Sequence, residues 1–444
     1  MLRVDKAGVQ RWIGFRPGLE SLAAALLLCA ACEVSADPDR ERIDEEPDQQ
    51  SNLEPVLPDL RERRGFIEGS SLSVRPRGYL LDRSRDRGAD VSGLALGGAL
   101  AYRSGWWLGR IRLSATAYSS QKLYGPSDKD GTLLFKPGPE SFSTLAEASV
   151  DLRLTEDSGI RLGRQRLDLP YLGAHDIRMV PNTFEAVSLG SVSPTGFAYM
   201  TGYVDGIKRK NDDEFISMSE AAGAEGSDQG LAYAGARYKT AGGANIGVLY
   251  QHSFETFNTL YATAEYPIVL NDRATLKTFV QYTDQSSHED ALIGRFDTSM
   301  ASAKLELQQG PWVWRAAAST TDDEKGIQKP YGNPANYLSV IVEDFDRAGE
   351  DAWLLGFSYD FSRIGPGDLS LFANVVSGDT PDTGSSASPD ETEYDLTVDY
   401  RFQEQWAERL WVRLRAAYID QDEAVGGNDF FDFRIILNYE FDLL

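Results

Sequence analysis

The amino-acid sequence predicts an all-β protein, a closed antiparallel β-barrel that crosses a membrane with its strands. Three observations predict it. First, the end of the chain alternates: Phe433, Ile435, Leu437, Tyr439, Phe441 and Leu443 fall on one face, Arg434, Asn438, Glu440 and Asp442 on the other, with Ile436 as the apolar intruder. Successive side chains of a strand point to opposite faces, so this segment has an apolar wall for lipid and a polar wall for a lumen. Second, similar runs recur along the chain and reach about 9–11 residues, the length of a tilted membrane strand, against about 5–6 for a soluble one. Third, no apolar run approaches the roughly 20 residues of a spanning helix. With 42% hydrophobic residues and a mean hydropathy of −0.35, a membrane protein can only be a barrel, whose lumen residues dilute every hydropathy window. A barrel of this size encloses a pore.

The elements follow in order. Residues 1–36 read as a signal peptide: Arg3, Lys6, Arg11 and Arg16 are a basic leader, Leu22 to Cys32 a short apolar stretch, and Val34-Ser35-Ala36 a small-residue cleavage pattern. Cys32 offers a second route, the acylated cysteine of a lipoprotein, although Cys29 stands where that motif usually has leucine. Both cysteines lie in this leader, so the mature chain has no disulfide, thiol nucleophile or thiolate metal site. Residues 37–65 form an acidic lead-in too polar to pack. From Phe66 the chain reads strand, turn, strand. Ile111, Leu113, Ala115 and Ala117 alternate with Arg110, Arg112, Ser114 and Thr116. Leu276 to Tyr282 is a weaker run, and Trp353 to Phe361, Tyr394 to Phe402 and Arg409 to Tyr418 are strong ones. Long polar connections (Tyr124 to Glu140, Asn211 to Gly230, Thr321 to Asn336, Gly378 to Glu391) contrast with short ones such as Thr240 to Gly243 and Pro366 to Asp368, as expected of the two ends of an outer-membrane barrel. Tyr118, Tyr250, Tyr282, Tyr400 and Tyr418 suit interfacial girdles. A soluble sandwich, β-helix or propeller does not account for them, and no blade or solenoid repeat is present.

Charge sets limits on partners. Removing residues 1–36 takes away four basic and three acidic residues, leaving 40 Lys+Arg against 65 Asp+Glu, a net charge of −25. Nucleic acid is excluded as a partner, because neutralising phosphates needs basic surface. Acidic rims can still surround a locally basic lumen.

Three stretches then resemble one family. Residues 66–86 read FIEGSSLSVRPRGYLLDRSRD, residues 160–184 IRLGRQRLDLPYLGAHDIRMVPNTF, and residues 345–379 FDRAGEDAWLLGFSYDFSRIGPGDLSLFANVVSGD. Together and in this order they resemble the OprD family of Gram-negative outer-membrane porins. The resemblance covers Phe66 to Leu444 and implies a barrel of 18 strands, monomeric or a loose homotrimer. Its surroundings would be outer-membrane lipid and lipopolysaccharide. It would pass small water-soluble molecules, typically carboxylates such as amino acids and organic or aromatic acids. The resemblance also implies an inward-folded constriction loop near residues 167–186, carrying Leu169, Pro170, Tyr171, Asp176, Arg178, Pro181 and Phe184. Opposite this loop it implies a basic ladder, matched here by Arg75, Arg77 and Arg83 on the first strand and turn and by Arg164 and Arg166 on the strand feeding the loop.

The residues support an anion path on their own account. Arg110 and Arg112, and again Arg413 and Arg415, share the polar face of a strand, about 7 Å apart within each pair. A guanidinium stays charged in a narrow lumen and grips a carboxylate through two parallel hydrogen bonds. A series of weak sites hands a solute onward, where one tight site would trap it. The alternative is that these arginines pair with Asp151, Asp395 and Asp399 to brace the wall. Asp176 and Arg178 read equally as a brace for the loop or as a two-signed gate. Enzyme chemistry has little to build on. His175, His252 and His288 are the three histidines and form no ligand motif. Gly-x-Ser-x-Gly, His-Glu-x-x-His and phosphate-loop motifs are missing. No cofactor or metal is expected. A hydrolase using His252 with Ser253, or a plugged adhesive barrel, are the competing functions.

Overall fold

In the computed structural model, the residues described are Leu53, Leu60, 64–191, 193, 196–362, 368–403, 407 and 409–444. The leader, the Pro366-Gly367 turn and most of the lead-in lie outside them. Eighteen strands form the wall: β1 (Ser71–Arg85), β2 (Val91–Arg103), β3 (Ile111–Tyr124), β4 (Phe142–Arg153), β5 (Ser158–Gln165), β6 (Thr183–Ser191), β7 (Gly196–Lys208), β8 (Leu231–Lys239), β9 (Asn245–Ser253), β10 (Phe257–Asn271), β11 (Ala274–Ser287), β12 (Asp297–Gln309), β13 (Trp312–Thr321), β14 (Asp351–Asp360), β15 (Asp368–Asp379), β16 (Glu391–Arg401), β17 (Leu410–Gln421) and β18 (Phe430–Tyr439). Each pairs antiparallel with the next, and β18 pairs back onto β1 from Arg77↔Asn438 to Arg85↔Phe430, which closes the ring. Closure removes the exposed edges that so many strands would otherwise present. The predicted C-terminal run breaks at Glu440, after which Phe441–Asp442 re-pairs with Val74 and Ser73. No helix among the described residues is long and apolar enough to cross a membrane.

The distribution of side chains is that of a soluble protein turned inside out. Leu113, Val248, Tyr250, Tyr282, Leu305, Trp353, Leu355, Leu396 and Leu414 are exposed on the outer face, whereas Arg112, Asp151, Asp399, Arg413, Asp432 and Arg434 are buried. The physical cause is lipid: a lipid-facing charge at the bilayer midplane costs about 2–4 kcal/mol. On β18 the alternation is as predicted, with Asp432, Arg434 and Asn438 on the inner face. Ile436 also turns inward and packs beside Tyr79 and Leu81. Trp312, Trp314, Phe357 and Tyr359 cluster at the short-turn end, with Trp312 and Trp314 stacked at 5.3 Å, as an interfacial girdle does. Tyr250, Tyr282 and Tyr418 also face out. Tyr118 does not. It shares the parity of Arg112, is buried, and donates to Glu147 Oε1 at 2.5 Å.

The long connections gather at one end, here called outer: L2 (residues 125–141), L3 (166–182), L4 (209–230), L6 (288–296), L7 (322–350) and L8 (380–390), with the short L5 (254–256) among them. Two leucines of the lead-in are buried rather than solvated. Leu53 packs on the inner side of β9, where a Cβ on Gly247 would collide with it, and Leu60 lies against Gly159 of β5.

Candidate functional site

L3 leaves β5 at the outer end and folds into the barrel, because its sequence is apolar on one side and charged on the other. Asp168–Leu169 and Leu172–Gly173 form a two-rung hairpin whose turn places Tyr171 at φ 58°. Leu169, Tyr171 and Leu172 are buried with Phe184, Met200, Leu249 and Tyr261, all on the inner faces of β6 to β10 or beside them. Burying side chains of this size contributes about 1.5–3 kcal/mol each, so this cluster fixes the loop to one wall. Leu169, Tyr171 and Phe184 are therefore anchors. Pro170 and Pro181 are buried too, their carbonyls accepting from Gln251 Nε2 at 2.7 Å and Lys208 Nζ at 3.0 Å. Tyr171 Oη adds hydrogen bonds to Thr283 Oγ1 at 2.8 Å and Ala335 O at 3.2 Å.

The far side of L3 meets a wall rich in arginine. Arg77 on β1 donates from Nη1 to Asp176 Oδ1 at 2.7 Å and to Arg178 O at 2.6 Å, and from Nε to Asn438 Oδ1 at 2.8 Å. Arg166 Nη1 stands 3.6 Å from Asp176 Oδ2. Burial alone would raise the Asp176 carboxyl, but Arg77 and Arg166 outweigh it and hold the group below the usual carboxylate range. Arg75, one inward position along β1, has its Nε buried without a hydrogen-bond partner. Arg83 meets Asp432 at 2.8 Å, and Arg434 meets the same carboxylate at 2.6 Å. Arg413 forms a two-pronged pair with Asp399, both contacts 2.6 Å. Arg415 is buried beside it and stands opposite Arg434 in the ladder. Three neighbouring strands, β17, β18 and β1, thus carry Arg413, Arg415, Arg434, Arg83, Arg77 and Arg75 on one inner surface.

Other members of the predicted ladder sit elsewhere. Arg110 lies in the turn before β3 and is exposed. Arg112 is buried, donating to Asp151 at 3.3 Å and stacking on Trp106. Arg164 is on the outer face: it pairs with Glu185 at 3.0 Å, stacks on Phe215 and donates to Leu145 O, and Leu145 is itself exposed. The inward arginine of that strand is Arg161, at 2.7 Å from Asp151. Arg178 is only 7% exposed, its Nε donating to Thr132 O of L2 and its Nη1 to Ile177 O. In this arrangement it braces backbone. Arg434 was legible as an inward residue from the parity of β18, but its place in the basic wall depends on which strand closes the ring.

The postulated His252–Ser253 pair is not brought together. The two lie on opposite faces of β9, with the Ser253 hydroxyl buried 2.6 Å from Tyr331 Oη.

Comparison with known proteins bears on the family and the fold. Residues 64–443 match the family model described as outer membrane porin, OprD family. Porin D of Pseudomonas aeruginosa is 23% identical over 433 residues, an alignment covering 87% of this chain and 94% of that protein. Among solved structures, OccK9 (OpdG) of P. aeruginosa superposes with a TM-score of 0.77 at 21% identity, covering 86% of this chain and all of that one. OpdK of P. aeruginosa with vanillate gives 0.75 at 21% identity, covering 85% and 100%.

Proposed function

The chain belongs to the OprD family of outer-membrane porins of Gram-negative bacteria, and from that premise we propose that it selects small water-soluble carboxylates for passive diffusion. The observation that carries this reading is the arginine surface of β17, β18 and β1, against which Arg77 holds Asp176 of L3. Asp176 is a resident carboxylate on that surface, and a solute carboxylate would meet the same donors. Arg75, half-buried one inward position from Arg77 on β1, is the donor we assign to the solute, since its guanidinium stays charged and can offer a carboxylate two parallel hydrogen bonds. Arg413 and Arg83 already hold Asp399 and Asp432, so they set the local field rather than grip. Vanillate, named with the OpdK structure, is a carboxylate of the proposed class. The acidic net charge opposes anions at the mouths, but loop charges are screened over about 8 Å at physiological salt and lumen charges less.

The test is Arg75→Ala in planar bilayers and proteoliposomes. A hydrogen bond to a charged group contributes about 1.5–3 kcal/mol, so carboxylate flux should fall by roughly tenfold or more while uptake of neutral sugars of equal size holds. Arg77→Ala should lower carboxylate flux too and also loosen L3. A wild-type pore that favours cations, with carboxylate flux indifferent to both substitutions, would leave only an unselective porin. A silent bilayer would instead favour a plugged barrel.

A further inference from the structure

His252 and His288 are far apart in sequence, yet the fold sets their rings 4.8 Å apart on the outer rim, beside Glu289. His252 is the penultimate residue of β9 and points to the outer face. His288 and Glu289 open L6. His288 Nε2 lies 3.4 Å from Glu289 Oε1, and His252 Nε2 lies 3.8 Å from the same oxygen. The three donor atoms lie within 4.8 Å of one another. Two ligands each about 2.0–2.1 Å from a tetrahedral zinc ion stand about 3.3–3.4 Å apart, so small side-chain rotations bring the set to bonding geometry.

Supporting contacts hold these ligands from behind. His252 Nδ1 donates to Asn258 Oδ1 at 2.7 Å across the β9–β10 ladder. In the neutral ring this places the lone pair on Nε2, the atom that faces Glu289. The other carboxylate oxygen, Glu289 Oε2, accepts from the Glu255 amide at 2.7 Å, which leaves Oε1 to the imidazoles. L5 and L6 are interlocked around them: the His288 amide donates to Thr256 O at 2.9 Å, and the Leu292 amide to Glu255 O at 2.8 Å. Glu255, Glu289 and Ala291 all have φ between 50° and 58°. Such a left-handed backbone costs a non-glycine residue energy and persists only where surrounding contacts over-determine it.

We propose that His252, His288 and Glu289 form a surface site for a divalent transition metal of the zinc class, taken from the external medium, which clasps the outer end of β9 to L6. Two imidazoles and one carboxylate suit zinc, copper(II) or nickel(II), and disfavour calcium and magnesium, which take oxygen ligands. The side chains of His252, His288 and Glu289 are 21%, 42% and 35% exposed. The ion therefore has an entry path and room for a water in a fourth position. The third histidine, His175, lies on L3 with its Nδ1 3.0 Å from Lys210 Nζ, so it does not compete.

The test is equilibrium dialysis and calorimetry of zinc on the full-length mature barrel in detergent, free of any histidine tag. Wild type should bind one zinc per chain, undisturbed by a hundredfold excess of calcium. His288→Ala and Glu289→Gln, both on an exposed loop, should each weaken binding at least tenfold. Asn258→Ala should weaken it about tenfold by freeing the His252 ring. X-ray absorption of the zinc-loaded protein should report two imidazole nitrogens. Absence of stoichiometric zinc binding in wild type, or full retention of it in His288→Ala and Glu289→Gln with an unchanged strand spectrum, would overturn the site.

Discussion

Lys329 in L7 holds two carboxylates at once, Asp344 at 2.6 Å and Asp346 at 2.5 Å. One cation cannot fully compensate two anions, and Asp346, the buried one of the pair, takes the strain. Burial pushes its carboxyl up to about 6; Lys329 opposes the rise and Asp344 adds to it. In the unfolded chain the group titrates near 4. Between about pH 4 and pH 6 the folded loop therefore binds a proton that the unfolded loop does not, and stability falls as pH rises through this window. Corrected for the intrinsic pH dependence of exchange, L7 amides should be better protected at pH 5 than at pH 7, and Asp346→Asn should shrink the difference; equal protection in wild type would refute the assignment. Such pairings depend on fold and are not written in spacing. At this scale strand parity carries the information: Asp151 and Asp399 brace Arg112 and Arg413, the pairing that alternation offers beside an anion path. Parity also gives the correct face for Arg161 and Tyr118. The placements of Arg164 in the lumen and of Tyr118 in a girdle went against it, and the structure reverses both.

L3 acts as an element because L7 holds it. The Tyr171 amide donates to Asn333 O at 2.8 Å and the Gly173 amide to Tyr331 O at 3.1 Å, while His175 N donates to Asn333 Oδ1 at 2.9 Å. Gly173 is required for this approach, since a Cβ there would collide with the Asn333 side chain. Gly173→Val should push the two loops apart. Single-channel records at fixed voltage should then flicker between levels that wild type does not visit. A trace as quiet as wild type would show that L7 is no support. The motif Leu169 to Phe184 was legible through family resemblance, and its apolar residues have an evident packing role once seen. The support from L7 was not legible, because contacts between residues about 160 apart leave no local pattern. The pairing of the two rim histidines is illegible for the same reason: their proximity comes from neighbouring hairpins, not from a motif.

The whole molecule was the most legible level, since one face for lipid and one for water is a constraint repeated in every strand. The boundaries of β14 moved by only a residue or two, whereas β3 continues to Tyr124, well past the alternation legible from Ile111 to Ala117. Which strands adjoin across the closure was not readable from alternation, and the arginine surface depends on that closure. The seam is completed by the chain's end: Val74 pairs with Phe441, Ser73 with Asp442, and the Leu443 amide donates to Leu72 O at 2.7 Å. Asp442 also meets Arg409 at 3.1 Å. Deleting residues 440–444 should therefore lower the yield of the compact, heat-modifiable form on gels, even though β18 itself is intact. Wild-type yield would show that these last pairs do not matter for closure.

The same seam has a topological consequence. With β18 laddered to β1 and both strands meeting the short-turn end, the ring has no first strand. A chain reopened at residues 272–273, in the turn between β10 and β11, and joined through its old ends would make every ladder again in the same register. The order in which the strands are synthesised belongs to the gene, not to the ring.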